Sequence, residues 1–202
     1  YIPRFRNVKS GNEQDYIRGY GYQGGENVTV YEHAFATKGY GASFKDEVRE
    51  TNASRVSLAG FGEMLPAFEN HCRIDDEKAD AWGIPALHIE CEHGDNEKKM
   101  IADIIEAGKQ ILEDAGAVNI SQNATAAPPG FGIHEMGTAR MGADPKKSVL
   151  NKWNQTHDIP NLFVTDGSAF PSIACQNPTL TMMALTVRAC EYIVEETKRG
   201  TL

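Results

Sequence analysis

The stretch that most limits how this chain can fold is its last long one, NPTLTMMALTVRACEYIVEETKRG, residues 177–200. Residues 180–190 are apolar nearly all the way round a helix, and a helix of that kind is expected to be buried. From Glu191 onward the pattern turns polar, and Gly200 marks the exit. A helix over residues 178–198 would run for about 31 Å. Whatever covers it has to be a substantial body. Its opening is an ordinary helix start, with Asn177 at the N-cap and Pro178 at the first helical position. On that reading Asn177 is structural. The functional alternative is that the buried helix aims its first N–H groups at an anionic group.

A second long helix is expected over residues 96–115. Met100, Ile101, Ile104, Ile105, Ile111 and Leu112 recur at three- and four-residue steps, Asp95 or Asn96 can cap the start, and Gly116 ends it. A short helix can begin at Ser43. Strands are expected over residues 54–58, 69–75 and 86–93. The last alternates strictly, with Leu87, Ile89 and Cys91 on one face and His88, Glu90 and Glu92 on the other, as in a half-buried antiparallel strand. Residues 162–165 read as a compact apolar strand. The fold class expected is α+β, with a mostly antiparallel sheet packed against two long helices.

Residues 19–24, GYGYQG, match the G-x-G-x-x-G spacing of a dinucleotide loop through Gly19, Gly21 and Gly24. That loop works only between a strand and a helix whose N–H groups hold the pyrophosphate. Here Val28-Thr29-Val30 follows and reads as a strand, and no acidic residue ends a second strand about 20 residues on. The stretch is expected to be a glycine-rich turn between short strands.

Charge and cysteine usage remove further classes. The 202 residues carry a net charge of −8 without a basic cluster, which argues against nucleic acid and anionic membranes. No apolar run reaches the roughly 18–20 residues of a membrane span. Cys72, Cys91, Cys175 and Cys190 show no C-x-x-C spacing, and His71, Cys72, His88, Cys91 and His93 lack the spacing of a zinc tetrad, so no metal is expected. There is no G-x-S-x-G for a serine nucleophile. The N-terminus, YIPRFRNVKS, has neither Met nor a signal-peptide core and reads as mid-protein sequence, so a processed or truncated chain is expected. The compartment stays open.

Two stretches carry chemistry. His134 lies in GFGIHEMGTARMG, where glycines let the backbone come close to a ligand and a neutral imidazole can act as a base. The second stretch is VTDGSAFPSIACQNPTLTMMAL, an apolar strand ending in Asp166-Gly167 before the helix opened by Asn177. Together, HEMGTARMGADP, SVLN, NLFVTDGSAFP and NPTLTMMALTVRACEYI resemble the C-terminal segment of the glucose–methanol–choline (GMC) family of FAD oxidoreductases. Within that family the likeness is greatest to sugar oxidoreductases such as pyranose oxidases and the large subunits of gluconate dehydrogenases.

The resemblance implies roles. His134 would take the hydroxyl proton of an alcohol while the carbon delivers hydride to flavin N5, and Asn177 would hydrogen-bond the developing alkoxide. Asp166 and Gly167 would touch the ribityl-pyrophosphate part of FAD, and Pro178 and Thr179 would sit near the flavin N1/O2 end. Asn177 can serve both helix and substrate only if its side chain points away from the first turn. The resemblance also implies a substrate-binding domain over residues 1–132 and a catalytic segment over 133–202 that completes the FAD domain. The main nucleotide cradle would belong to a missing N-terminal half. Residues 162–165 would then be a Rossmann-sheet strand without its parallel neighbours, expected to find a substitute partner such as another copy of the chain. A neutral sugar or polyol is the expected substrate, since no basic pocket for an acid is evident. The alternative is a non-catalytic, stand-alone carbohydrate-binding or scaffold domain of the same ancestry.

Overall fold

The computed structural model describes residues 1–27, 34–35, 37–50, 55–123 and 125–202. The expected strand at Val28-Thr29-Val30 lies outside the described residues. Two antiparallel pairs form the sheets. β1 (Tyr20–Asn27) pairs with β2 (Arg55–Gly62), and β3 (His71–Ala79) pairs with β4 (Pro85–Glu90). Three helices with both ends among the described residues accompany them: α1 (Gly41–Glu50), α2 (Asp95–Asp114) and α3 (Thr179–Arg199). The chain is thus a small α+β fold with antiparallel strands.

The core forms where α2 crosses the β1–β2 pair. Tyr16, Tyr20, Tyr22, Met100 and Ala107 are buried there, with Phe5, Leu58, Ile104 and Ile111 packed around them. The register explains how three tyrosines fit under a helix. Tyr20 stands opposite Gly62 and Tyr22 opposite Gly60, so each ring has a partner position without a side chain. A Cβ on Gly62 would meet Met100 Sδ at 2.5 Å, and one on Gly60 would collide with Ile104. Glycine at these two positions therefore sets how closely α2 approaches the sheet. The rings pack edge to face, Tyr20 to Tyr22 at 5.5 Å and Phe5 to Tyr20 at 5.6 Å.

The tyrosine hydroxyls need partners when buried, and α2 supplies them. Tyr16 and Tyr20 donate to Asp103 Oδ2 at 2.6 and 2.7 Å, Arg6 Nε donates to the same oxygen at 3.1 Å, and Tyr22 donates to the Ile104 carbonyl at 2.5 Å. Burial pushes the Asp103 carboxyl upward, but the two hydroxyls and the guanidinium outweigh it and hold the group below its ordinary value. Burial, followed by the bond to Asp103, pushes the Tyr16 and Tyr20 phenols well above theirs.

Several expectations need correction. GYGYQG is strand rather than turn: five of its residues lie in β1, bonded along β2. α1 starts at Gly41, so Ser43 lies inside it and does not cap it. Gly94, not Asp95 or Asn96, precedes α2. Its N–H donates to Glu97 Oε2 at 2.9 Å, while Asn96 Oδ1 accepts the Ile17 N–H at 2.8 Å. On β4 the half-buried residues are Ala86 and His88, not the apolar side. Leu87 and Ile89 are 64% and 62% exposed, whereas His88 is half-buried between Asp75 and Glu90. The alternation was legible; its apolar face has no cover among the described residues.

Residues 162–165 form no named strand and have no parallel neighbour among the described residues. One edge is met within the chain instead: Thr156 N–H donates to the Leu162 carbonyl at 2.9 Å and Val164 N–H to the Asn154 carbonyl at 2.9 Å. The largest departure is α3. It keeps its expected limits within one residue, but only Ala189 is buried along it. Leu180, Met183 and Val187 are 79%, 61% and 58% exposed. No described helix is long and apolar enough to cross a membrane.

Candidate active site

Three segments meet at the N-terminal end of α3. The first is the loop carrying His134. Its backbone is held by a φ of +58° at Ile133 and +93° at Gly137, with the Gly132 N–H donated to Glu135 Oε1 at 2.7 Å. A β-branched residue at positive φ is strained, and such strain persists where the surroundings fix the backbone. The His134 imidazole is half-buried and has no hydrogen-bond partner among the described residues. The loop lies beside the end of β4: burial raises the Cys91 thiol, and the Glu135 charge pushes it further in the same direction.

The second segment is the turn at 166–170. Asp166 Oδ1 accepts the Ser168 N–H at 2.9 Å and caps the one-turn helix Gly167–Ala169, so its side chain is committed to the turn. The His134 loop is fastened here by Ala139 N–H to the Ser168 carbonyl at 3.0 Å and Met141 N–H to the Ala169 carbonyl at 2.8 Å. Gly167 lies against two methionines: a Cβ there would meet Met136 Sδ at 2.7 Å, forcing that side chain to shift, and Met182 Sδ at 3.5 Å. Met136 is two residues past His134 and Met182 lies in the first turn of α3. Gly167 is therefore the point where all three segments touch.

The third segment is the mouth of α3. Pro178, buried, occupies the N-cap with helical dihedrals, and no side chain caps the helix. The expected capping by Asn177 does not occur. Asn177 Oδ1 instead accepts a hydrogen bond from Gln23 Nε2 at 3.1 Å. The side chain is thus engaged across the fold rather than with the first turn, and the opening N–H groups of α3 carry no side-chain cap. Thr179 is exposed at this opening.

The preceding segment rests on the outer face of β1. Side chains alternate across a strand. Tyr20 and Tyr22 face α2, and Gly21 and Gln23 face the other way. A Cβ on Gly21 would stand 2.8 Å from the Ile2 carbonyl, which calls for glycine there, and at an ordinary contact distance of 3.4 Å from the buried Cys175 Sγ. Tyr1 Oη adds a bond to the Cys175 carbonyl at 3.1 Å. Gly21 faces Cys175 and Gln23 faces Asn177, two steps along each segment. Gln23 was missed as a site residue; the signal for it was its place on the strand face opposite the tyrosines. Two open clefts lie elsewhere, one lined by Arg4, Asn7 and Tyr16 and one by Val187, Cys190 and Val194.

The mouth of α3 carries no side-chain cap, the His134 imidazole has no hydrogen-bond partner among the described residues, and the Asn177 amide is engaged through Oδ1 by Gln23. A family model described as GMC oxidoreductase matches residues 68–186. The chain belongs to the GMC oxidoreductase family. It is 35% identical to 2-methyl-1,2-propanediol dehydrogenase of Mycolicibacterium austroafricanum, over 88% of this chain and 33% of that protein. It is 31% identical to the fructose dehydrogenase large subunit of Gluconobacter japonicus, over 79% of this chain and 29% of that protein. The gluconate 2-dehydrogenase flavoprotein of Pantoea cypripedii is 29% identical, over 79% and 27%. The chain thus spans about a third of the length of these relatives.

Proposed function

We propose that this chain is the substrate and catalytic portion of an FAD-dependent oxidoreductase that oxidises a CH–OH group of a neutral sugar or polyol. The single observation that carries the reading is the junction at Gly167, where the His134 loop, the 166–170 turn and the mouth of α3 pack as one unit. The names of the relatives, a diol dehydrogenase and a fructose dehydrogenase subunit among them, support the substrate class.

The donor set fits the ring end of the cofactor. An uncapped α3 offers N–H groups and the positive end of its dipole to a developing negative charge, with Pro178 and Thr179 at that opening. At Asp166 and Gly167 the backbone N–H groups are left for the ribityl chain, because both carbonyls accept within the turn, from the Ala169 and Phe170 N–H at 3.3 and 3.1 Å, and Asp166 Oδ1 accepts from Ser168. The nucleotide end has no cradle here, because the backbone of GYGYQG is spent on pairing with β2. When bound, FAD supplies the two-electron acceptor. His134 accepts the hydroxyl proton of the substrate at its unpartnered ring nitrogen. Asn177 donates from Nδ2 to the same oxygen and holds it as charge develops.

The remaining proposals follow from what is left uncovered. A compact chain of 22.2 kDa exposes about 9,400 Å², whereas this one exposes 14473 Å². The apolar stripe of α3 is part of that excess. We assign its cover to a nucleotide-binding half beside which residues 162–165 complete a Rossmann-type sheet. On this division residues 1–132 bind substrate and 133–202 complete the FAD domain. Any self-association would use the free edge of 162–165.

The test is His134→Ala in the FAD-loaded holoenzyme. Alcohol-dependent dye reduction should fall by at least about a hundredfold, the contribution of a positioned base, while the flavin absorbance of the purified protein stays unchanged. Turnover equal to the parent enzyme removes His134 from the mechanism.

A further inference from the structure

We propose that Gln23 is a positioning residue that sets which end of the Asn177 amide faces the substrate. The inference rests on the catalytic reading of Asn177 given above. An asparagine amide has an oxygen that accepts and a nitrogen that donates, and the two are nearly equal in size. A half-turn about the last side-chain bond exchanges them without steric cost. Something outside the residue has to fix the choice, because an alkoxide requires the donor.

The helix does not fix it, since Asn177 makes no capping bond. Gln23 does. Its Nε2 donates to Asn177 Oδ1 at 3.1 Å, which occupies the acceptor and turns the Nδ2 protons to the other side. The bond spans 154 residues of sequence, so it joins β1 to the mouth of α3 and is no local turn contact. Its distance depends on the seat beside it. Gly21, two residues back on the same strand face, lies against Cys175, and Cys175 is two residues before Asn177. The false nucleotide motif is therefore a platform: its inner tyrosines build the core, and its outer Gly21 and Gln23 seat and orient the catalytic segment.

Two substitutions separate orientation from mere support. Gln23→Ala removes the bond and lets the amide sample both orientations, lowering kcat by about three- to tenfold, the bias of one neutral hydrogen bond. Gln23→Glu keeps size and shape but only accepts when ionised, so it draws the Nδ2 protons toward itself and presents Oδ1 to the substrate. The Glu variant is expected to fall below the Ala variant in kcat. Its activity relative to the parent enzyme should climb as pH falls toward about 4.3, where the introduced carboxyl regains a proton to donate. A readout apart from activity is the Asn177 side-chain NH2 signal of the holoenzyme labelled with 15N-asparagine, identified by its loss in Asn177→Asp. In Gln23→Glu that signal should move downfield as its protons meet a carboxylate.

Equal kcat for the Ala and Glu variants, or an NH2 signal that stays in place in both, overturns the proposal. The two ideas fail differently. If Asn177→Ala leaves kcat at the parent value, the catalytic reading of Asn177 is wrong, and the amide signal still decides whether Gln23 holds it.

Discussion

The two long helices are nearly equal in length, 20 and 21 residues, and differ in what they lie against. α2 brings its own cover with it: β1 and β2 present tyrosines on one side and glycines opposite, and Met100 and Ala107 go under. α3 is the more apolar of the two in its first half, yet Leu180, Met183, Val187 and Val194 stay 51% or more exposed along one stripe. These four recur at spacings of three, four and seven residues, the repeat by which a helix presents a seam to another body. Amphipathic pattern thus reports what a helix needs. It does not report whether the same stretch of chain supplies it.

The comparison can be broken by one substitution placed on each helix. Met100→Asp puts an unpaired charge among Tyr20, Tyr22 and Ile104 and should cost at least about 5 kcal/mol, enough to abolish cooperative urea unfolding. Val187→Asp on α3 should cost under about 0.5 kcal/mol in the 202-residue chain and about 3 kcal/mol in the FAD-loaded holoenzyme. Urea midpoints in the two contexts measure the difference. Equal midpoint shifts would mean that nothing further covers the stripe.

The smallest effect concerns the polar side of α2. Asp103→Asn removes the charge that Tyr16, Tyr20 and Arg6 share and should cost about 2 kcal/mol near neutral pH. The Asp103 carboxyl is held below its ordinary value in the folded chain. Its stabilisation is therefore present above the unfolded carboxyl's pKa of about 3.9 and is lost as pH falls through the lower folded value. The Asn variant should show a shallower loss of stability between about pH 5 and 2, followed by thermal melts. A slope equal to the parent's would place the acid sensitivity elsewhere.

What could be read from residues alone divides along the same line. The ends of α2 and α3 were legible because Gly116 and Gly200 stop them locally, both in left-handed conformation. The family motif around His134 was legible because it is contiguous. GYGYQG was misjudged as a turn because glycine ordinarily weakens a strand. Here Gly21 answers a close contact from the Ile2 carbonyl and Gly24 from Ser57 and Leu58, all distant in sequence. The outward apolar face of β4 and the stripe on α3 were misjudged for a different reason. Periodicity names the face to be covered, and no described element covers it. Gln23 escaped notice because its partner is an amide on another segment, and single amides carry no pattern.

One ring stack bears on how α3 behaves as a mechanical part. Tyr192 lies flat on Trp153, centroids 4.9 Å apart and planes 3° off parallel, and Thr186 Oγ1 donates to the Thr165 carbonyl at 3.3 Å. At the other end the Gln23 link holds Asn177, about 22 Å away along the axis. Clamped at its rear, the helix is held at its front by the Gln23 bond and by Met182 against Gly167, while the flank between lies open. Docking of a body along the stripe would then load the helix between Asn177 and Tyr192.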